Sequence, residues 1–322
     1  MSDLPRVVVT RALPGPALAL LADLADVWVS PHDRPLTAAE LQEAVVGATA
    51  VVSTLNDRMD DAALAAAGPS LRLVANTATG YDNIDLGAAA GHEVAVTNTP
   101  GVLVAATADL TMALVLDVTR RVSEGDRLIR SGTPWAWDIG FMLGSALQGK
   151  RLGVVGMGAI GRAVADRARA FGMDVVHHAR SQPDIEGASR RVALDELLTT
   201  SDVVSLHCPL TSQTRHLIDA ERLRRMKPTA FLVNTARGPV VDEGALVDAL
   251  RDGTIAGAAL DVYEDEPLVH PGLLGLDNVV LAPHLGSATT ETRGAMADLA
   301  VRNVVELLAG REVLTPVLIA SA

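Results

Sequence analysis

One cysteine, Cys208, stands in 322 residues, so no internal disulfide can form and a reducing cytoplasm is the expected compartment. Long apolar runs are missing too; none approaches the ~18 residues of a spanning helix. The opening stretch "MSDLPRVVVTRALPG" holds three consecutive valines and an early Asp3, which does not read as a signal peptide. No Lys/Arg run exceeds two residues and the net charge is −12, which argues against nucleic acid and anionic membranes as main partners. An anionic ligand would have to be held by a few local donors. Aromatics make up 2% of the chain, so Trp135 and Trp137, two positions apart, stand out. No H-x-x-H or H-E-x-x-H pair exists, and the adjacent His177 and His178 fall in a strand pattern that points them to opposite faces, so no metal is expected.

What is present is a soluble composition, 49% apolar and 20% charged, at a length comfortable for two domains. Short β-branched runs alternate with longer helical patterns, the signature of an α/β fold with parallel sheets and crossover helices. Strands are expected at 6–10, 26–30, 49–54, 71–75 and 93–97, with helices near 15–24, 37–46, 60–66 and 85–90. The turn "NTPGV" then leads into one long apolar-periodic helix from about 104 to 130. Further strands are expected at 150–156, 174–178, 202–207, 230–235, 255–262 and 279–283. A last amphipathic helix covers roughly 290–309, with Leu299, Val304 and Leu308 inward and Arg302 and Glu306 outward. The pattern amounts to two doubly wound sheets with a break near 98–101, the last helix returning to the first domain.

"LGVVGMGAIGRAVADRARAFG" follows a strand and opens a helix, and its Gly156, Gly158 and Gly161 fit G-x-G-x-x-G. The first glycine permits the turn, the second lets backbone approach a pyrophosphate, and the third lets helix and strand pack closely. The free N–H groups of the helix start then favour phosphate. A bare match of this kind also occurs in purely structural turns. Here the strand before, the helix after and the spacing to the next strand all agree on a dinucleotide. NAD sites carry an acid about 20 positions on, for the ribose 2′-hydroxyl. This chain instead has Ala179, followed by Arg180 and Ser181, a combination that suits a 2′-phosphate and so NADP(H), with NAD(H) possible. The plain alternative is that Arg180 is a solvated loop cation.

Ligands of open parallel sheets bind outside the carboxyl ends of the strands. Those ends hold Gly156–Gly161, Arg180, Cys208, Pro209, Thr235, Ala236, Arg237, Asp261 and His284. His284 follows Pro283, where the strand must stop, and could act as proton donor or only cap the strand end. Acid–base work requires a partner for the imidazole and an anion binder; "DVYEDEP" offers Glu264, Asp265 and Glu266, and "NTARG" offers Arg237.

"NTARGPVVDEGAL", "ALDVYEDEP", "LAPHLGSATTETR", "GVVGMGAIGRA" and "ATGYDNID" together resemble the D-isomer-specific 2-hydroxyacid dehydrogenase family, in order along essentially the whole chain. The likeness is greatest to its glyoxylate/hydroxypyruvate reductase branch. The resemblance implies a flavodoxin-like substrate domain at 1–99 plus 287–322, a Rossmann cofactor domain at 100–286, a cleft between them and hinges near 99 and 287. It implies that Arg237 grips the substrate carboxylate and carbonyl, that His284 is the acid/base, and that Glu266 pairs with His284. The backbone of Thr79 and Gly80 would receive the carboxylate, and Leu55 and Asn56 would shape the pocket. Asp261 would lie near the nicotinamide carboxamide. The implied cofactor shell further takes in Thr107, Met157, Ala159, Ile160, His207, Thr214 and Gly286. A homodimer around the helix at 104–130 is implied, with Trp135 and Trp137 near the contact, either closing the substrate site or packing the interface.

The expected reaction is reduction of a small 2-oxo acid to a D-2-hydroxy acid, with His284 as proton donor and Glu266 favouring the imidazolium. Alternatives from the same resemblance are an enzyme for a bulkier 2-oxo acid or a phosphite-type dehydrogenase. The latter carries a lysine where Thr79 stands here, while a formate dehydrogenase would carry glutamine in place of Glu266. A nucleotide-sensing corepressor is the non-enzyme alternative.

Overall fold

The structure is a computed structural model that describes residues 4–179 and 189–318. The chain divides into two compact units, one formed by Met1–Leu103 with Thr289–Ala322 and the other by Val104–Ala288.

The first unit carries five parallel strands, β1 (Arg6–Val9), β2 (Asp26–Val29), β3 (Ala50–Ser53), β4 (Leu73–Asn76) and β5 (Ala95–Thr97). Their order β2-β1-β3-β4-β5 reverses at β1 and β3, the doubly wound arrangement. Alternating side chains explain why both faces are covered. Val8, Val51, Val74 and Val96 enter one core with α1 (Ala38–Val45) and α2 (Asp61–Ala67), while Val7, Val9, Val52 and Leu73 enter the other. Into that second core α10 (Thr290–Leu308) sends Ala297, Ala300, Val301 and Val304. Leu299, expected to point inward, is only half-buried: the small residues lie on the inner stripe, and they let the helix sit close to the sheet. Local signals hold as well. Thr37 and Glu40 form a reciprocal capping box that starts α1. The helix expected near 15–24 is a 3-10 turn at Ala17–Leu21, with no side-chain cap at Pro16 to start an α-helix. A short α3 (Leu86–Gly91) precedes β5.

The second unit opens with α4 (Val104–Arg120) and α5 (Val122–Arg130), where one continuous helix was expected. The break is at Arg121, in the left-handed region at φ 57. For a side-chain-bearing residue that conformation costs about 1–2 kcal/mol. Local bonds offset it: Arg121 forks onto Glu124 at 2.7 and 2.6 Å, and Asp117 accepts the Ser123 amide at 2.7 Å. The Thr119 carbonyl, released from the helix, accepts from the Ser145 amide at 2.7 Å.

The remaining strands, β6 (Arg151–Val155), β7 (Asp174–His178), β8 (Arg190–Arg191), β9 (Val203–Leu206), β10 (Phe231–Asn234), β11 (Gly257–Leu260) and β12 (Val279–Leu281), form a parallel sheet ordered β12-β11-β10-β9-β6-β7-β8. The order reverses where β6 meets β9. Helices α6 (Ala159–Ala170), α7 (Leu194–Thr200), α8 (Ala220–Arg225) and α9 (Glu243–Arg251) connect the strands. Leu206, Leu232, Ala258 and Leu260 pack under one face, and Val154, Val203, Val233 and Ala259 under the other. Among the described residues no helix is long and apolar enough to cross a membrane.

Candidate active site

At the end of β6 the chain turns through Gly156, φ 97, a conformation glycine adopts freely. A Cβ there would lie 2.6 Å from the Cys208 amide, so the turn presses against the end of β9. A Cβ at Gly161 would lie 2.2 Å from the Gly156 carbonyl, so the first turn of α6 rests directly on the loop. Gly158 is the N-cap of α6 with no side-chain cap and open space where a Cβ would be. The helix start thus presents uncapped N–H groups on a side-chain-free approach, which fits a pyrophosphate. Met157 and Cys208 turn their side chains into the cores, and Ile160 and Ala179 pack half-buried against the core beneath α6. Thr214 Oγ1 donates to the Pro209 carbonyl at 2.7 Å and accepts from the Thr211 amide at 2.7 Å, shaping the loop beyond β9. Arg180 and Ser181, the pair expected to meet a 2′-phosphate, lie outside the described residues.

The ionisable residues gather at β10, β11 and β12. Asn234 ends β10 fully buried, and its side chain spans the next turn: Oδ1 accepts the Ala236 amide at 3.0 Å and Nδ2 donates to the Arg237 carbonyl at 2.9 Å. Arg237 is thereby held, half-buried, at the strand end. A Cβ on the following Gly238 would fall 1.8 Å from the Tyr263 carbonyl oxygen, so the arginine turn lies directly on the backbone of the loop after β11.

That loop carries Glu266. One carboxylate oxygen accepts the Tyr263 amide at 3.0 Å and the other meets His284 Nδ1 at 2.7 Å. Burial pushes the Glu266 carboxyl up, but its bonds to His284 and Tyr263 and the Arg237 charge together hold it below the usual carboxylate value. His284 itself sits at φ 53, an unusual backbone for a residue with a side chain, and its amide donates to the Asp261 carbonyl at 2.9 Å. Asp261, 1% exposed, uses both carboxylate oxygens on the next two amides, Leu285 at 2.6 Å and Gly286 at 2.8 Å. Its carboxyl is pushed up by burial, against the pull of those amides. Thr107 Oγ1 donates to the Gly286 carbonyl at 3.0 Å, and Thr111 Oγ1 joins Thr235 Oγ1 at 2.9 Å, so α4 buttresses the same strand ends. Tyr263 ties the two loops by donating its hydroxyl to the Ala282 carbonyl at 2.9 Å; burial pushes that phenol up to about 12, so it remains a donor.

Arg237, Glu266 and His284 therefore meet at adjacent strand ends, with the imidazole Nδ1 committed to the carboxylate and Nε2 left for other chemistry. Of the other carboxylates in "DVYEDEP", Glu264 pairs with His216 Nε2 at 2.6 Å and trades amide-to-carboxylate bonds with buried Glu243, while Asp265 is exposed. His207 places Nε2 2.8 Å from Ser205 Oγ, and burial drops its imidazole to about 4, so it stays neutral near pH 7. Asn234, Gly238, Tyr263 and Glu243 were not singled out from the sequence; only the glycine directly after Arg237 offered a local signal.

In the first unit, Thr79 and Gly80 lie half-buried in the loop after β4, and Leu55 and Asn56 lie past β3. Trp135 and Trp137 are 54% and 78% exposed, with Ile139 at 82% and Leu143 at 68% in the same stretch. Trp135 stacks on Phe141 at 6.1 Å.

Residues 112–286 match the family model described as D-isomer specific 2-hydroxyacid dehydrogenase, NAD binding domain. A glyoxylate reductase of Aeropyrum pernix is 49% identical over 317 residues, 95% of this chain and 94% of that protein. A crystal structure of a protein from Thermus thermophilus superposes with a TM-score of 0.91 at 48% identity, over 97% of this chain and 100% of that one. An NADPH-dependent glyoxylate/hydroxypyruvate reductase of Sinorhizobium meliloti, solved with NADP and malonate, gives a TM-score of 0.86 at 34% identity, over 98% and 97% of the two chains.

Proposed function

The chain belongs to the D-isomer specific 2-hydroxyacid dehydrogenase family, and from there we propose that it reduces small 2-oxo acids, glyoxylate and hydroxypyruvate foremost, to D-2-hydroxy acids with NADPH preferred over NADH. The observation that carries this reading is the 2.7 Å contact of His284 Nδ1 with Glu266 at a strand end shared with Arg237. When bound, the nicotinamide supplies a hydride to C2 of the oxo acid. The carbonyl oxygen then gains negative charge and needs a proton. His284, held by Glu266 in the orientation that exposes Nε2, donates it. Arg237 binds the substrate through its planar fork and stabilises the developing charge. The glycine turn and α6 hold the pyrophosphate through backbone amides.

In the first unit, the peptides that follow Thr79 and Gly80 are the seat for a substrate carboxylate, with Leu55 shaping the pocket. Residues 1–99 with 287–322 act as the substrate domain and 100–286 as the cofactor domain. The NADPH preference rests on Ala179 standing where an acid would repel a 2′-phosphate, with Arg180 and Ser181 next in sequence. The exposed apolar stretch holding Trp135 and Trp137 fits burial against a second copy of the chain, which makes a homodimer the working assembly. The lone cysteine suits a reducing cytoplasm.

A panel of small 2-oxo acids assayed with NADPH and with NADH tests the reading. Turnover is expected to be fastest with glyoxylate or hydroxypyruvate and NADPH. No turnover on any pair would defeat it, and faster turnover with NADH would remove the cofactor preference alone.

A further inference from the structure

The loop after β4 hangs from two asparagine side chains. Asn98, one residue past β5, donates from Nδ2 to the Thr79 carbonyl at 2.7 Å. Asn76, the last residue of β4, donates from Nδ2 to the Gly80 carbonyl at 2.9 Å. Both carbonyls belong to trans peptides, in which the N–H points opposite to the C=O. The Gly80 amide therefore points away from Asn98, and the Tyr81 amide points away from fully buried Asn76. The amides of Thr79, Gly80 and Tyr81 have no hydrogen-bond partner among the described residues. Two further bonds stop the loop from turning over: Thr79 Oγ1 donates to the Thr99 carbonyl at 2.9 Å and the Thr99 amide to the Ala78 carbonyl at 2.8 Å.

Asn76 is itself fixed. Its Oδ1 accepts from Ser53 Oγ at 3.1 Å, and its amide faces that of Asn83, with Nδ2 to Oδ1 at 3.2 Å. Asn83 Nδ2 reaches on to the carbonyls of Thr54 at 3.0 Å and Asp57 at 2.9 Å. One neutral network thus sets both the peptides after β4 and the turn that carries Leu55 after β3.

We propose that Asn76 and Asn98 are positioning residues for the substrate carboxylate: they hold two consecutive carbonyls against the scaffold so that the amides of Gly80 and Tyr81 face outward together as a ready anion cradle. The inference rests on the reading of the chain as a 2-oxo acid reductase. The physical reason is preorganisation, since fixed dipoles that need not reorient bind an anion better than mobile ones. Neutral asparagines do this without a counter-charge that would hold the product.

The test is Asn98→Ala, which is half-buried, with Asn76→Leu as a second variant. Steady-state kinetics with NADPH and glyoxylate are combined with the inhibition constant of oxamate, a non-reacting carboxylate, the NADPH dissociation constant and the melting temperature. Asn98→Ala is expected to raise the glyoxylate KM and the oxamate constant together by about tenfold, the scale of one misaligned charge-assisted hydrogen bond. The dissociation constant for NADPH should stay unchanged, and kcat should fall less than KM rises. A lowered melting temperature with both constants unchanged would overturn the proposal, as would lost turnover with oxamate binding intact. Should Asn76→Leu fail to fold, Asn98→Ala decides alone. Amide exchange across 77–82 in the wild type separates this inference from the functional reading. Slowing by oxamate in the presence of NADPH sustains the cradle even if no oxo acid is turned over, and no slowing overturns it.

Discussion

The two units end their strands in different chemistry. Past β10, β11 and β12 of the second unit stand Arg237, Asp261, Glu266 and His284, ionisable groups of which Glu266 and His284 pair at 2.7 Å while the two carboxylates take backbone amides at 2.6–3.0 Å. At and past the ends of β3, β4 and β5 of the first unit, the side chains that hold the loops are Thr54, Asn76, Asn83 and Asn98, neutral amides and a hydroxyl; the buried acid Asp57 is spent on Thr10, Thr54 Oγ1 and the Thr54 amide, and Asp82 in the loop after β4 is exposed. A group that moves a proton must be able to change its charge at little cost, and a paired imidazole can. A group that only holds an anion needs fixed dipoles, and peptide N–H groups pinned from behind supply them without a charge. The division of labour in the proposed reaction is thus written in side-chain type, and both halves put their functional groups at carboxyl strand ends because parallel sheets leave that edge open.

If this contrast is real, damage to the charged half should cost turnover and damage to the neutral half should cost affinity. His284→Ala carries the largest expected effect: a loss of about 100- to 10,000-fold in kcat, the scale of removing a proton donor, with NADPH binding retained by fluorescence titration. Unchanged turnover would remove the acid role. Gly238→Ala comes next. Its methyl has no room against Tyr263, so the arginine turn and the Glu266 loop must part. A destabilisation of about 1–3 kcal/mol is expected from overpacking, measured by denaturant titration, with kcat falling more than tenfold. Wild-type stability and rate would show that the close approach carries no constraint.

Arg180→Ala should weaken NADPH by about tenfold, the scale of one lost charge-assisted contact to phosphate, and leave NADH nearly untouched; equal effects on both would remove the phosphate assignment. The smallest effect is a pH dependence. Glu266 has a lowered carboxyl in the folded chain, so its contribution to stability is present above the ordinary carboxylate range and is lost as pH falls through the lowered folded value. Glu266→Gln should therefore melt below wild type near pH 7, and the gap should close as pH drops below about 4. A gap that stays constant with pH would show that the carboxylate adds nothing through its charge.

Much of this was legible in the residues. β-branched runs placed the main strands of both sheets because a buried parallel strand reads as a continuous apolar stretch, and Gly156, Gly158 and Gly161 marked the tight turn that opens α6. The break at Arg121 was not legible, because a left-handed arginine leaves no composition signal and depends on Glu124, Asp117 and the distant Ser145. The inward stripe of α10 departs from the leucine pattern because close packing on the sheet selects Ala297 and Ala300. Nor was the scaffold behind the site legible: Asn234, Tyr263 and Glu243 act through hydrogen bonds to backbone that is remote in sequence or folded back on itself. Charged residues at strand ends announce themselves by type. The residues that aim them through the backbone do not.

A double-mutant cycle on His284→Ala and Glu266→Gln, read as single-turnover rates with NADPH and hydroxypyruvate, tests most directly whether imidazole and carboxylate act as one proton-donating unit. The expected result is non-additive, the double variant no slower than His284→Ala alone, because Glu266 works only through the ring it holds. Losses that multiply would contradict that account and give Glu266 a separate task.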